Sequence, residues 1–348
     1  MKISASSLYK EIRMNNNKNT GGGDTSWLLK GKYGIFMHYQ YRILLGYCYR
    51  TNPQYPQPSE MSADGWNRLV DGFDADGFAK QMEEAKLGWV MFGIDDALFG
   101  WQCAPNSTFD RFTGYAPGMR CSKRDLIADV VQALRKCGVR VILYYAGLVG
   151  YGRDKQSQIG GESSDWGKFE SPLTAEDRGN RIAVLKEYCD RYGDSIDGWW
   201  FDDAGQYQRF YNQPPNDYDT IAATVRAASP KAVIALGDDG DQFFFHRKGV
   251  DDYTNGDTWD KQNLKALIPE ERPAKGGILW HGKIYCGDIY HGLGNGNQFD
   301  DQELIDWIIT CNRQGGVVTM DWPFEPETGL IKNFGIAQLK RIAAAVRL

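Results

Sequence analysis

The sequence alternates short apolar runs with amphipathic helical segments, and this alternation recurs along most of the chain. The apolar runs have the length of buried strands, and the segments between them place apolar side chains at helical spacing. Parallel strands need crossovers of this kind, because the chain has to return to the same end of the sheet before each new strand. Eight strands are predicted, near residues 33–38, 88–92, 139–145, 197–203, 232–236, 249–253, 283–286 and 315–320.

Eight such units predict an α/β fold, a closed (β/α)8 TIM-like barrel in a single domain. A chain of 348 residues suits one large barrel with insertions. No GxGxxG or GxxxxGK[ST] motif follows a predicted strand, which disfavours a nucleotide-binding doubly wound sheet. Residues 1–25 are polar and rich in Asn and Gly, so we predict a flexible N-terminal arm, followed by the barrel over residues 26–348.

Charge and residue usage exclude several classes of function. The net charge is −5, from 40 basic and 45 acidic residues, so no basic face indicates a nucleic-acid partner. No apolar run reaches the length of a membrane span. The four histidines lack HxH and HExxH spacing, so neither a metal nor another cofactor is predicted. The oligomeric state and the cellular compartment stay open.

Acidic and aromatic side chains follow the predicted strands, at the edge of a barrel where active sites lie. Very few lysines accompany them, which disfavours a phosphate substrate. The set suits a neutral, hydroxyl-rich ligand that develops positive charge on reaction, and glycoside cleavage between two carboxyl groups is such a reaction. The strand-end residues are His38, Asp95, Asp96, Tyr144, Tyr145, Asp202, Asp203, Asp238, Asp239, Asp257, Asp288, His291, Asp321 and Trp322.

The predicted fourth strand is short and aromatic and stops at two acids, Asp202 and Asp203. A carboxylate is costly to desolvate, so one at the tip of a buried strand usually has a partner or a task. We interpret Asp202 as a catalytic nucleophile; the alternative is a carboxylate that accepts hydrogen bonds from loop amides. Adjacent strand residues point to opposite faces, so we expect Asp203 to turn away and to act as a loop ligand. If Asp203 instead faces the pocket, it is a candidate for sugar binding or proton donation.

Five motifs in this order resemble glycoside hydrolase family 29, the α-L-fucosidases, from about residue 30 to the C-terminus. The resemblance implies a retaining exo-glycosidase that acts on an oligo- or polysaccharide and lacks the C-terminal β-sandwich of many family members. The motifs are KYGIFMH at 32–38, FDADGFAKQMEEAKLGWV at 73–90, KRDL at 123–126 running on to LYY at 143–145, WFD at 200–202 and GGVVTMDWP at 315–323.

The resemblance also implies roles for individual residues. Asp202 takes the place of the family nucleophile, and Asp257 is the first candidate for the general acid/base. Glu170 and Glu162, on the long insertion after the third strand, are the reserve candidates. The residues expected to hold the sugar are His38, Asp95, Asp96, Trp101, Tyr145, Asp203 and Trp322.

The sequence departs from the family at three places: the strand-two motif, Asp203 in place of the usual Gly, and Asp257 in place of Glu. The family sequence HHDGF reads Ile94-Asp-Asp-Ala-Leu98 here, so both sugar-gripping histidines are replaced. This change predicts an altered sugar specificity or linkage. It also supports an alternative, a non-catalytic carbohydrate-binding barrel related to the fucosidases. A third reading is an enzyme of another class on the same barrel, since a fold alone does not define a function.

Overall fold

The computed structural model describes residues 22–45, 61–95, 100–146, 175–202, 217–236, 249–257, 264–268, 278–289 and 294–346. Within these residues one sheet of seven parallel strands forms, in the order β5-β4-β3-β2-β1-β7-β6. The strands are β1 (Tyr33–Met37), β2 (Trp89–Gly93), β3 (Arg140–Tyr145), β4 (Gly198–Phe201), β5 (Val233–Leu236), β6 (His281–Tyr285) and β7 (Val317–Asp321).

The helices lie between the strands in the chain, as a parallel sheet requires. Several begin at a polar side chain that accepts a backbone N–H of the first turn, and Asp300 and Glu303 form a reciprocal capping box. The helices are α1 (Ser26–Gly31), α2 (Tyr41–Leu44), α3 (Ala63–Gly72), α4 (Ala75–Glu84), α5 (Ser107–Thr113), α6 (Leu126–Lys136), α7 (Ala175–Tyr192), α8 (Tyr218–Ala228), α9 (Asp301–Arg313) and α10 (Asn333–Val346).

The sheet separates two apolar layers. On β4, Trp199 and Phe201 pack in the layer shared with the helices, whereas Trp200 belongs to the opposite layer, as the two-residue period of a strand dictates. The ammonium of Lys283 on β6 lies 5.4 Å from the ring centroid of Trp200, although β6 is at one edge of the sheet and β4 is next to the other. The sheet is therefore curled, with Trp200 and Lys283 inside it, in agreement with a TIM-like barrel fold.

A bulky side chain fills the interior at the amino ends of the strands. The indole of Trp89 lies beside Gly34, where a Cβ would come within 2.4 Å of its Nε1 atom. The same Nε1 donates a hydrogen bond to the hydroxyl of Thr319 at 3.0 Å. This end of the interior is packed, so the space for a ligand lies toward the carboxyl ends of the strands.

The sixth predicted strand, 249–253, is not formed as a strand. The Asp251 and Asp252 carboxylates accept the backbone N–H groups of Leu236 and Ile234 on β5, at 2.9 and 2.8 Å. They thus occupy positions where the carbonyls of a neighbouring strand would bind. The segment still lies between β5 and β6, because Asp252 N donates to Ile234 O and Leu279 N donates to Asp252 O. Side chains replace part of a strand ladder here, which apolar periodicity does not predict.

Two further features adjoin this segment. The predicted 283–286 strand is β6, His281–Tyr285, which begins two residues earlier and ends one residue earlier than predicted. At the start of the described chain, Gly23 N donates to Asp252 Oδ1 at 2.7 Å and Asp24 N donates to Lys231 O at 3.0 Å. Residues 1–21 of the predicted arm lie outside the described residues. None of the described helices combines the length and the apolar character needed to cross a bilayer.

Candidate active site

Three carboxyl groups near the carboxyl ends of the strands each pair with a different side chain. Asp202 directly follows β4 and is half-buried. The phenol of Tyr144 on β3 donates a short hydrogen bond to Asp202 Oδ2. The Tyr144 ring is stacked on Trp200, with centroids 5.4 Å apart and planes 14° apart. The stacked indole fixes the direction of the phenol, and the phenol in turn fixes one oxygen of the proposed nucleophile.

The second carboxyl group is that of Asp257, which pairs with Lys283 on β6. The Lys283 ammonium lies 2.7 Å from Asp257 Oδ1 and donates a second hydrogen bond to the Tyr285 hydroxyl at 2.9 Å. The two charged side chains are only 2% and 9% exposed, so water screens their attraction far less than at the surface. The ammonium also lies 4.8 Å from the ring centroid of Phe36.

The backbone that carries Asp257 depends on a glycine. Gly256 has a φ of +70°, and a Cβ there would lie 2.2 Å from His281 O. The carbonyl of Gly256 accepts a hydrogen bond from Lys283 N at 2.6 Å. Only a residue without a side chain permits this close approach. The approach places Asp257 beside the side chain of Lys283.

The third carboxyl group is that of Asp321, the last residue of β7, which pairs with His38 at the end of β1. Asp321 Oδ2 lies 2.8 Å from His38 Nδ1, and both side chains are buried. Desolvation raises the pKa of Asp321 well above its usual value; the nearby Lys283 charge lowers this pKa, and the Asp257 charge raises it further. The Oδ1 atom of Asp321 has no hydrogen-bond partner in the described part of the chain.

Aromatic rings connect the three carboxyl pairs. The His38 ring lies 5.3 Å from the Tyr144 ring and 6.3 Å from the Tyr285 ring, measured between centroids. Phe36 lies 3.7 Å from His38 and 4.9 Å from Tyr144. Asp202, Asp257 and Asp321 therefore lie around one aromatic-lined interior. Their partner side chains all contact the ring of Phe36.

His281, the first residue of β6, is buried nearer the amino ends of the strands than the three pairs, and its role is structural. Its Nδ1 lies 3.2 Å from the carbonyl oxygens of Thr254 and Asn255, and its Nε2 lies 2.8 Å from Thr319 Oγ1. Desolvation lowers the pKa of His281 to about 4, so the ring is neutral at neutral pH.

The structure places the sequence-predicted residues in three groups. His38, Asp202 and Asp257 come together in the interior. Asp95 is buried just after β2, where its Oδ1 accepts a hydrogen bond from Ala146 N at 2.9 Å and its carbonyl accepts one from Gln40 Nε2. The predicted residues Asp96, Glu162, Glu170 and Asp203 lie outside the described residues.

Trp101, Tyr145 and Trp322 lie in the layer between the sheet and the helices. Tyr145 is 0% exposed and contacts Trp199 and Phe201, and its hydroxyl has no hydrogen-bond partner among the described residues. The predicted sugar contact of these three side chains is therefore not part of the site that we describe. Strand alternation explains why Tyr145 and Trp322 point toward the helices. The residues before them, Tyr144 and Asp321, point into the interior, and adjacent residues of a strand point to opposite faces.

Sequence reasoning missed Lys283 and Tyr285 as members of the site, and it placed Tyr144 and Asp321 at strand ends without giving either a role. The strand register contained a signal for Tyr144, which pairs with Trp200, and Trp200 shares the inward phase of Asp202. Lys283 and Tyr285 have the same two-residue spacing on β6, and a lysine in a buried strand is a signal of its own. Among the described residues no group of three or more His, Cys, Asp or Glu side chains could hold a metal ion.

Residues 105–267 match a family model described as endo-alpha(1,4)-fucoidanase Mef1. The matched range is just under half of the chain and includes Asp202 and Asp257. No sequence among the curated proteins compared with the chain matches it.

Solved structures of two groups share the fold. The endo-fucoidan hydrolase MfFcnA9 of glycoside hydrolase family 107 has a TM-score of 0.67 at 18% identity over 92% of this chain and 63% of its own. The α-L-fucosidase AlfC from Lactobacillus casei has a TM-score of 0.62 at 17% identity over 93% of this chain and 98% of its own. A family 29 α-L-fucosidase from Bacteroides thetaiotaomicron has a TM-score of 0.60 at 17% identity over 93% and 74%.

The chain thus spans less than two thirds of the length of MfFcnA9 and nearly all of AlfC. The resemblance to family 29 is confirmed as a likeness of fold, whereas membership of that family is not, since the matching family model is that of an endo-fucoidanase. The chain is therefore similar in fold to both fucoidan hydrolases and α-L-fucosidases, and similar in the sequence of its central part to an endo-fucoidanase.

Proposed function

We propose that this protein is a retaining glycoside hydrolase that cleaves fucosyl linkages within a fucose-rich polysaccharide. The observation that carries the proposal is Asp202 at the carboxyl end of β4, held by Tyr144 and sharing an aromatic-lined interior with a second, paired carboxyl group at Asp257. The endo-fucoidanase model covers both carboxyl groups, which supports a fucosyl linkage as the bond that is cleaved.

In the first step, an Asp202 oxygen bonds to the anomeric carbon while the glycosidic bond breaks, and the leaving oxygen takes a proton from Asp257. In the second step, Asp257 takes a proton from water, and the water oxygen displaces Asp202 from the sugar. For the first step Asp257 has to carry a proton, which the Lys283 ammonium, 2.7 Å from Oδ1, can pass to it and take back in the second step. Glu170 and Glu162 remain reserve candidates for the acid/base role.

Two features of the interior suit the oxocarbenium-like transition state of this reaction. Ionised carboxylates stabilise positive charge that develops at the anomeric carbon. The rings of Tyr144 and Tyr285 line the interior beside the carboxyl groups, and their hydroxyl groups and the His38 imidazole can meet the hydroxyls of a sugar.

The proposal is tested with fucoidan and aryl α-L-fucosides, comparing the wild-type protein with Asp202→Ala and with Asp190→Asn, which changes an exposed carboxylate on α7. We expect Asp202→Ala to lower kcat by about a thousandfold or more, because the covalent step is lost. Azide should restore turnover of the aryl fucoside by this variant and give a fucosyl azide of inverted configuration. Undiminished turnover by Asp202→Ala would overturn the nucleophile assignment.

Product size distinguishes internal cleavage from a second candidate function, an exo-acting α-L-fucosidase. That candidate is favoured by the coverage of AlfC, of which the chain spans 98%. Internal cleavage releases oligosaccharides early in the reaction, whereas exo-cleavage releases fucose alone. Binding of the polysaccharide that is equal in the wild-type protein and Asp202→Ala, without turnover by either, would instead support a carbohydrate-binding barrel.

A further inference from the structure

Asp321 is a buried carboxyl group whose side chain forms no ion pair with Lys or Arg within the described residues. It is 0% exposed, and one of its oxygens has no hydrogen-bond partner in the described part of the chain. The main chain of Asp321 already completes the ladder, since its carbonyl accepts from Cys286 N at 2.8 Å. A desolvated carboxyl group with an unused oxygen costs stability, so its side chain is expected to serve the site.

The side chain that Asp321 contacts is the His38 imidazole, through Nδ1 at 2.8 Å. A ring between Phe36 and Tyr285 could be placed in either of two orientations related by a 180° turn, because the two faces of the ring are alike to an aromatic neighbour. The carboxyl group removes this ambiguity, since only one of the two orientations brings Nδ1 to Asp321. The Nε2 edge is then set on the side of the ring away from β7.

We propose that Asp321 is a positioning residue that fixes the His38 ring through Nδ1 and keeps a proton on Nε2, so that His38 donates a hydrogen bond to the saccharide. This inference rests on the proposed function for its ligand and on the Asp321–His38 pair for its geometry. Asp321 itself does not touch the sugar; it acts through His38.

The raised pKa of Asp321 supports the placement of this proton. When the pair as a whole is neutral, either Asp321 is protonated and donates to Nδ1, or His38 is protonated and donates through Nδ1. Both arrangements leave a hydrogen on Nε2. Loss of one proton at higher pH puts the remaining hydrogen on Nδ1, toward the carboxylate, and Nε2 becomes an acceptor.

The charged and titratable groups around the pair are few and come from several strands. Lys283 on β6 favours loss of the proton, whereas Asp257 opposes it. Tyr285 pairs in register with Asp321, and Tyr144, bonded to Asp202, lies 5.3 Å from His38 between ring centroids. Saccharide binding is therefore expected to weaken as the pH rises through the titration of the pair.

The test compares Asp321→Asn, His38→Gln and the double variant. We expect Asp321→Asn to lower kcat/KM on fucoidan about ten- to a hundredfold, the loss typical of one hydrogen bond to a buried charged group, and to flatten the alkaline fall in kcat/KM. In the His38→Gln background the same substitution should have little further effect, because the two residues act as one unit. Losses that add in full would overturn the positioning role.

A second measurement does not depend on activity. Imidazole nitrogen NMR of the wild-type protein, with the His38 signals assigned by their loss in His38→Gln, should show Nε2 protonated near neutral pH and a titration that Asp321→Asn shifts to a different pH. An unprotonated Nε2 under these conditions, or an unchanged titration in Asp321→Asn, would overturn the inference even if the enzyme is active. An inactive wild-type protein with the expected spectrum would instead refute the proposed function and leave the pair established.

Discussion

At the scale of single residues, the site depends on which of two adjacent tyrosines points inward. Tyr144 contacts Asp202 and Trp200, while Tyr145 packs against Tyr188 of α7, and its hydroxyl has no hydrogen-bond partner among the residues that the structure describes. The two side chains have the same chemistry and almost the same position along β3. They differ in the face of the sheet on which they lie, so they form a matched pair for experiment.

We predict that Tyr144→Phe lowers kcat on fucoidan about tenfold or more and changes KM little, because it removes the hydrogen bond that orients the nucleophile and keeps the ring stacking. Tyr145→Phe is the control and should keep wild-type kcat, since its hydroxyl contacts nothing polar in the described chain. Steady-state kinetics of the two variants decides the point. Equal losses in both, or a loss in Tyr145→Phe alone, would contradict the inward assignment of Tyr144.

At the scale of elements, the segment 251–257 takes the place of a missing strand and carries a site residue. Asp252 accepts hydrogen bonds from Ile234 N, from Gly23 N and from the Arg226 guanidinium at 3.1 Å, with its side chain only 6% exposed. Five residues later the same segment presents Asp257 to Lys283. The segment that binds along the edge strand β5 thus also carries the candidate acid/base.

We predict that Asp252→Ala lowers the free energy of unfolding by about 3 kcal/mol or more, because it leaves the Arg226 charge and two backbone N–H groups without their partner. Asp301→Ala breaks an ion pair with Arg341 whose side chains are 35% and 56% exposed, and it should cost less than about 1 kcal/mol. Urea unfolding of both variants provides the comparison. A loss of stability in Asp252→Ala as small as that in Asp301→Ala would show that the Asp252 side chain does not hold segment 251–257 against β5.

The sequence predicted the elements better than it predicted the side chains that meet between them. The α/β alternation and the position of Asp202 follow from local periodicity and from a break at the end of an apolar run. The choice of Tyr144 over Tyr145 needs the register between β3 and β4, and the pairing of Asp257 with Lys283 needs the turn at Gly256. The Asp252 side chain takes the place of a strand backbone beside β5. Apolar spacing therefore predicted a regular strand at residues 249–253 where none is formed.

At the scale of the whole molecule, the curled sheet encloses ionisable groups whose protonation is coupled to folding. The buried His281 and Asp321 side chains have opposite signs in this coupling. Asp321 has a raised pKa, so folding favours its protonated form, and its contribution to stability improves as the pH falls. His281 has a lowered pKa, so folding favours its neutral form, and its contribution worsens as the pH falls.

The hydrogen bonds of His281 explain why its neutral form fits the interior. Trp89 Nε1 donates to Thr319 Oγ1, so the Thr319 hydroxyl is left to donate to His281 Nε2, which accepts. The opposite nitrogen, Nδ1, then donates to the carbonyls of Thr254 and Asn255. A proton added to Nε2 would face the Thr319 hydroxyl hydrogen, and the added charge would lie in a desolvated interior near Lys283.

We therefore predict that the contribution of His281 to stability is lost as the pH falls from about 6.5, the ordinary pKa of the unfolded histidine, to about 4, its pKa in the folded protein. The share due to His281 is about 3 kcal/mol, because the unfolded chain takes up the proton first across that window. His281→Gln should be less stable than the wild type at pH 7, since it disturbs the hydrogen bonds, but it should lose about 3 kcal/mol less between pH 7 and pH 4. Urea unfolding at several pH values measures both slopes, and parallel slopes in the two proteins would refute the assignment of this acid sensitivity to His281.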